Sequence, residues 1–129
     1  MSEDAAKELA AAWIADQESS RHGPAGLRVV SIAHDDPELC WRFIEEVHWA
    51  RASKEVRDLL AAGPLEDLLV YFPDQFFPRV KELAERDERF RALLRGVWLD
   101  GDDSPIWREF YVLAGIEAPF PPGWRKDAN

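Results

Sequence analysis

The chain has 129 residues, 47% of them hydrophobic, a formal charge of −9 at pH 7 and one cysteine, Cys40. That length predicts a single domain, 1–129, whose core needs no disulfide or metal, and one cysteine excludes an internal disulfide. The acidity argues against nucleic acid, whose phosphate backbone demands a basic face, and no apolar run approaches the roughly 18 residues of a membrane span.

The first predicted helix runs from about Glu3 to Glu18. It is rich in Ala, the best helix former, and Leu9, Trp13 and either Ala12 or Gln17 recur at helical spacing. The opening Met1-Ser2-Glu3-Asp4 is acidic, where a secretory signal would be basic and then apolar, so the cytoplasm is the expected location. Residues 20–35 read as an extended or single-turn connector. His22-Gly23-Pro24-Ala25-Gly26 is turn chemistry, and the β-branched run Leu27-Arg28-Val29-Val30-Ser31-Ile32 has no second strand to pair with. Val30 and Ile32 are expected to dock on the core.

Asp36-Pro37-Glu38 is a helix start: a capping carboxylate, Pro at the first position and an acid in the first turn. The helix carries Leu39, Cys40, Phe43, Ile44 and Val47 on one face and Trp41 and Trp49 on a second, the pattern of a central helix. Cys40 reads as a small buried apolar group. Ser53 is the expected cap of a short helix with Val56, Leu59 and Leu60 inward. Gly63 should end it and Pro64 should open the next, with Leu65, Leu68, Leu69 and Phe72 inward, so that Ala62-Gly63-Pro64 forms a hinge. Pro73-Asp74 interrupts again. The following helix holds Phe76, Phe77, Val80, Leu83 and Ala84, with Pro78 in its first turn because an interior proline loses a hydrogen bond and clashes.

Asp87 should cap a helix that buries Phe90, Leu93, Leu94 and Val97. An acidic loop follows from Leu99 to Ser104. Ser104-Pro105 opens the last helix, with Ile106, Trp107, Phe110, Tyr111 and Leu113. After Gly115 the chain is Pro-rich, with Phe120 and Trp124 expected to pin it to the body. The predicted fold class is all-α: a compact bundle of about six to seven short helices in antiparallel hairpins, its core at about 36–115 and its tail at 116–129.

Most candidate sites reduce to structural roles. Asp100-Gly101-Asp102-Asp103-Ser104 has the look of a calcium loop, but an EF-hand needs Gly at the sixth place and Glu at the twelfth; here those places hold Pro105 and Tyr111. Glu45 and His48 have the Glu-x-x-His spacing of di-iron bundles, which need the motif twice. His22 and His34 fall in predicted loops, and His48 is expected to be partly exposed and to pair with Glu45. There is no Gly-x-Ser-x-Gly elbow and no phosphate-binding Gly-rich loop. Arg89, Arg91 and Arg95, interleaved with Glu85, Asp87 and Glu88, read as a solvated mixed face. No catalytic residue, metal or cofactor is assigned, and enzymatic activity is not expected.

Glu66 and Asp67 follow Pro64 and so belong in a first helical turn, where the helix dipole and free amides favour acids. The functional alternative is an acidic knuckle that receives Arg or Lys from another protein. With Asp100, Asp102 and Asp103 they are the candidate partner-binding residues. The function expected is that of a non-catalytic acidic protein-binding module, an immunity- or antitoxin-like inhibitor of a basic partner. The alternatives are a self-associating protein that buries its second Trp face against another copy, and a small-molecule-binding or enzymatic helical domain. No nucleic acid or membrane partner is expected.

Three stretches also carry a resemblance: Asp36-Pro37-Glu38-Leu39 with Trp41 and Ile44, then Ala62-Gly63-Pro64-Leu65-Glu66-Asp67-Leu68-Leu69, then Phe90 to Leu94 with Gly96-Val97-Trp98. Across about Pro37 to Trp98 the chain resembles an uncharacterised bacterial family of small all-helical proteins, catalogued only as a domain of unknown function. The resemblance implies an all-helical fold. It supplies no activity, substrate or catalytic residue.

Overall fold

A computed structural model describes residues 2–19, 24–97 and 104–118, and among them it contains helices and no strand. Helix α1 (Ser2–Glu18) buries Ala6, Ala10 and Trp13, three positions on one stripe. The small alanines let it lie close along α3 (Pro37–Trp49), and Trp13 meets Phe43 of α3 edge-on at 5.4 Å.

The segment expected to be extended is instead a second helix, α2 (Pro24–Asp35). Proline suits its first position, and Val29, Ile32 and Ala33 form a helical stripe that is buried. The burial of that stripe overrides the weak helix propensity of the β-branched residues. Ile32 docks as expected, but Val30 points the other way and is 75% exposed. His34 lies in the last turn of this helix, not in a loop, with its ring edge-on to Tyr71 at 5.5 Å.

Asp36 caps α3 by accepting the Leu39 N–H at 3.1 Å. The helix is buried on most of its circumference by Leu39, Cys40, Trp41, Phe43, Ile44, Val47 and His48, and it packs on α1, α2 and the helical rod that follows. Trp49 is half exposed.

Ser53 accepts the Val56 N–H at 3.3 Å and opens α4 (Lys54–Leu60). No hinge follows. A π turn (Ala61–Leu65) joins α4 directly to α5 (Glu66–Tyr71), making one rod over 54–71. Pro64 sits inside it because the wider turn, in which the Glu66 N–H reaches back to Ala61, leaves room for the pyrrolidine ring and asks no donor of it. Leu65, Leu68 and Leu69 are buried as expected, whereas Leu59 is 49% exposed.

Phe72, with φ −136°, breaks the rod, and α6 (Pro73–Arg86) begins at Pro73. Pro78 therefore lies in the interior of α6, not in its first turn. The Asp74 carbonyl loses its helical donor there, and the buried row Phe76, Phe77, Val80, Leu83 and Ala84 holds the helix together. Asp87 accepts the Phe90 N–H at 2.9 Å and caps α7 (Glu88–Leu93), which tightens into a 3-10 turn (Leu94–Gly96). Gly96 lies so close to the π turn that a Cβ there would stand 3.0 Å from the Ala61 Cβ.

Ser104 precedes α8 (Pro105–Ala114) without a side-chain cap bond. Gly115, at φ +75°, ends that helix, and the Ile116 N–H bonds back to Tyr111 at 3.2 Å. Arg91 and Arg95 are exposed, as expected of a solvated face, while Arg89 is half-buried, and all three also hold carbonyls. Arg89 donates to the carbonyl of His48 at 3.1 Å, Arg91 to Leu113 at 2.9 Å and Arg95 to Ala114 at 3.2 Å, so each binds carbonyls at a helix C-terminus.

The buried cluster runs from Ala6 to Ala114. It takes in α1 and α2 as well as the stretch 36–115 expected to hold the core. No helix among the described residues is long and apolar enough to cross a membrane. Trp98, the loop 99–103 and the tail anchors Phe120 and Trp124 lie outside the described residues.

Candidate functional site

Because the rod is continuous, Glu66 and Asp67 do not sit in a first turn with free amides; the Glu66 N–H is already bonded to Ala61 and Gly63 carbonyls. What distinguishes Asp67 is its surroundings. With Leu59, Gly63 and Pro64 of the rod, Leu27, Val29 and Val30 of α2, and Trp13 and Gln17 of α1, it lines a groove of about 410 Å³. Asp67 is the one ionisable side chain in that lining, and it has no hydrogen-bond or ion-pair partner among the described residues. Burial holds its carboxyl above the usual range. Leu27 and Val30, one helical turn apart on α2, are 78% and 75% exposed beside it.

Of the five candidate partner-binding residues, Asp67 lines this groove. Glu66 is half-buried beside it on the rod and does not contribute to the lining. Asp100, Asp102 and Asp103 fall outside the described residues. Sequence reasoning missed Leu27 and Val30. Their three-residue spacing was the available signal, and it carries meaning only once 24–35 is helical.

Cys40 lies beneath the groove, its thiol 3.8 Å from the Pro64 carbonyl. Burial, then the charges of Asp67 and Asp36, push its pKa up to about 12, so no thiolate nucleophile forms here.

His48 differs from expectation. It is 1% exposed and pairs with Asp87, Nε2 to Oδ2 at 3.2 Å, and not with Glu45. Its ring lies 4.6 Å from Trp49 and 5.3 Å from Phe90, centroid to centroid. Burial lowers its pKa, opposed by the Asp87 hydrogen bond. Asp87 is itself held low, first by the Phe90 N–H, and is acceptor only, so the neutral imidazole carries its proton on Nε2. Nδ1 is then a buried atom without a partner. The pair binds helix α3 to the start of α7.

Glu45 lines a smaller cavity, about 220 Å³, with Lys7, Arg42 and Glu46 between α1 and α3. Burial raises its carboxyl too. Among the described residues no group of three or more His, Cys, Asp or Glu could hold a metal ion. Trp41, Trp49 and Trp107 line neither this cavity nor the groove.

No curated protein and no solved structure matches the chain. One family profile does, over residues 10–113, from the middle of α1 into α8. The profile takes in the groove and most of the helical core, and the chain belongs to that family, a family of unknown function (DUF6869).

Proposed function

We propose that the chain is a non-catalytic protein-binding module whose groove between α1, α2 and the rod receives an amphipathic helix of a partner protein, with one Lys or Arg of that helix placed on Asp67. The observation that carries this reading is the pairing of two strongly exposed apolar side chains, Leu27 and Val30, with an unpartnered carboxylate in an apolar lining. Burying an exposed Leu or Val side chain fully contributes about 1.5–3 kcal/mol. A helix laid against α2 covers both at once, since they share a face. Asp67 supplies register and sign, because a cation docked there relieves the cost of its desolvation. The chain's charge of −9 steers a basic partner toward it at low salt. Inhibition of a basic toxin, in the manner of an immunity protein, is one role that such a module would perform.

The test is affinity capture from the source organism with the wild-type chain, Val30→Glu and Asp67→Asn, at low and high salt. A partner held by the wild type, lost with V30E and weakened with D67N is the expected result. Recovery of no partner, or equal recovery by V30E, overturns the proposal. Sedimentation of the same proteins identifies a second copy as the occupant if the wild type associates and V30E does not.

A further inference from the structure

The chain has 25 acidic residues against 16 lysines and arginines, yet one of its concavities is basic. A cleft of about 590 Å³ opens where the start of the rod faces α7 and its 3-10 turn. Lys54 and Arg57 line it from the rod and Arg95 from the turn, over a floor that includes Ala62 and Gly96. The one acid in the lining, Asp58, is held by Lys54 at 2.9 Å. Three cations and one carboxylate leave two positive charges in the cleft.

Two further observations concern the arginines of the cleft. Arg57 is half-buried, and its Nε is fully buried without a hydrogen-bond partner. The large majority of buried side-chain polar atoms in folded proteins have a hydrogen-bond partner. Arg95 is fixed in place by its bond to the Ala114 carbonyl at 3.2 Å. The small side chains of the floor let a compact headgroup approach the guanidinium forks.

We infer that this cleft, on a face of the rod different from that of the Asp67 groove, is a binding site for an anion bearing a phosphoryl group. A phosphomonoester brings about 1.5 to 2 negative charges and three acceptor oxygens, which matches the surplus charge and the donors of two arginines and a lysine. A single carboxylate would satisfy half of that charge. The proposal is independent of the protein-binding reading.

The test is titration of the full chain with inorganic phosphate at constant ionic strength, read by amide NMR shifts, with malonate as a parallel arm. Saturable shifts centred on residues 54–58 and 92–96 are expected. Affinity should fall by about tenfold or more in Arg57→Gln, as expected for loss of charge-assisted hydrogen bonds. Lys54→Gln, at an exposed position, should weaken binding without disturbing the amide spectrum elsewhere, so the result survives if Arg57→Gln folds poorly. Shifts that are not saturable or that spread over the whole chain overturn the proposal, as does an affinity unchanged in both variants. Malonate binding as tightly as phosphate would refute the phosphoryl assignment.

Discussion

Asp87→Ala removes two interactions at one stroke, and their sum can be worked from the geometry. One carboxylate oxygen accepts the Phe90 N–H at 2.9 Å and caps α7, while the other lies 3.2 Å from Nε2 of a histidine that is 1% exposed. Loss of a helix cap costs about 1 kcal/mol. Stranding the His48 donor in the core costs roughly 1–3 kcal/mol more. The variant should therefore be less stable by about 2–4 kcal/mol in urea unfolding. Asp87→Asn should fall between it and the wild type, because the amide oxygen keeps the cap while the amide nitrogen cannot accept from the imidazole. The decisive comparison is a double-mutant cycle with His48→Phe. In that background Asp87→Ala should cost only the cap, about 1 kcal/mol. An equal cost of Asp87→Ala with and without the histidine, or a loss below about 0.5 kcal/mol in the wild type, would refute the assignment of a coupled buried pair.

The same pair predicts a pH dependence. His48 has a folded pKa below its ordinary value of 6.5, so the unfolded chain takes up a proton that the folded one refuses. Stability should hold above that value and decline as the pH falls from 6.5 toward the lowered folded value, and His48→Phe should flatten urea midpoints across this window. Gly96→Ala should destabilise by about 1–3 kcal/mol, because its methyl would meet the Ala61 Cβ at 3.0 Å and neither can yield. Gly63→Ala meets no atom within 4 Å beyond its chain neighbours, but its methyl would crowd the Pro64 ring in helical backbone, so the substitution should not raise the melting temperature. Cys40 should resist a thiol reagent in the native protein and react on unfolding, since it is fully buried with its pKa near 12.

What could be read from the chain alone was chemistry that acts within a few residues. Asp36, Ser53 and Asp87 cap helices through bonds three positions long, so each was legible where it stood. Helix α2 was not, because its β-branched run carries no local preference for helix and forms one only by burying Val29, Ile32 and Ala33 on neighbours. Gly63-Pro64 punctuates in the same way whether the chain turns or merely widens, and local signals do not separate the two. The candidate site was half legible. Asp67 was singled out as an acid, but the groove around it depends on where α1 and α2 come to lie. His48 and Asp87 are 39 residues apart, and nothing in either neighbourhood announces the other. The same holds for Arg89, Arg91 and Arg95, whose carbonyl partners lie far along the chain.

The π turn also acts as a phase adjuster. In an unbroken α-helix, residues eight apart stand about 80° round from each other, so Leu59 and Asp67 would look in different directions. The widened turn spends one extra residue, worth about 100° of rotation, and swings the downstream half back into line. That is why an aliphatic side chain from one half of the rod and a carboxylate from the other border the same groove. Closing the turn into regular α-helix with Ala62 retained would turn Asp67 away from Leu59, whereas deleting Ala62 would leave the two seven apart, about 20° from alignment, in an ordinary helix. The shared border of the groove thus depends on the widened turn, which lets the rod carry one more residue without losing the phase between its halves.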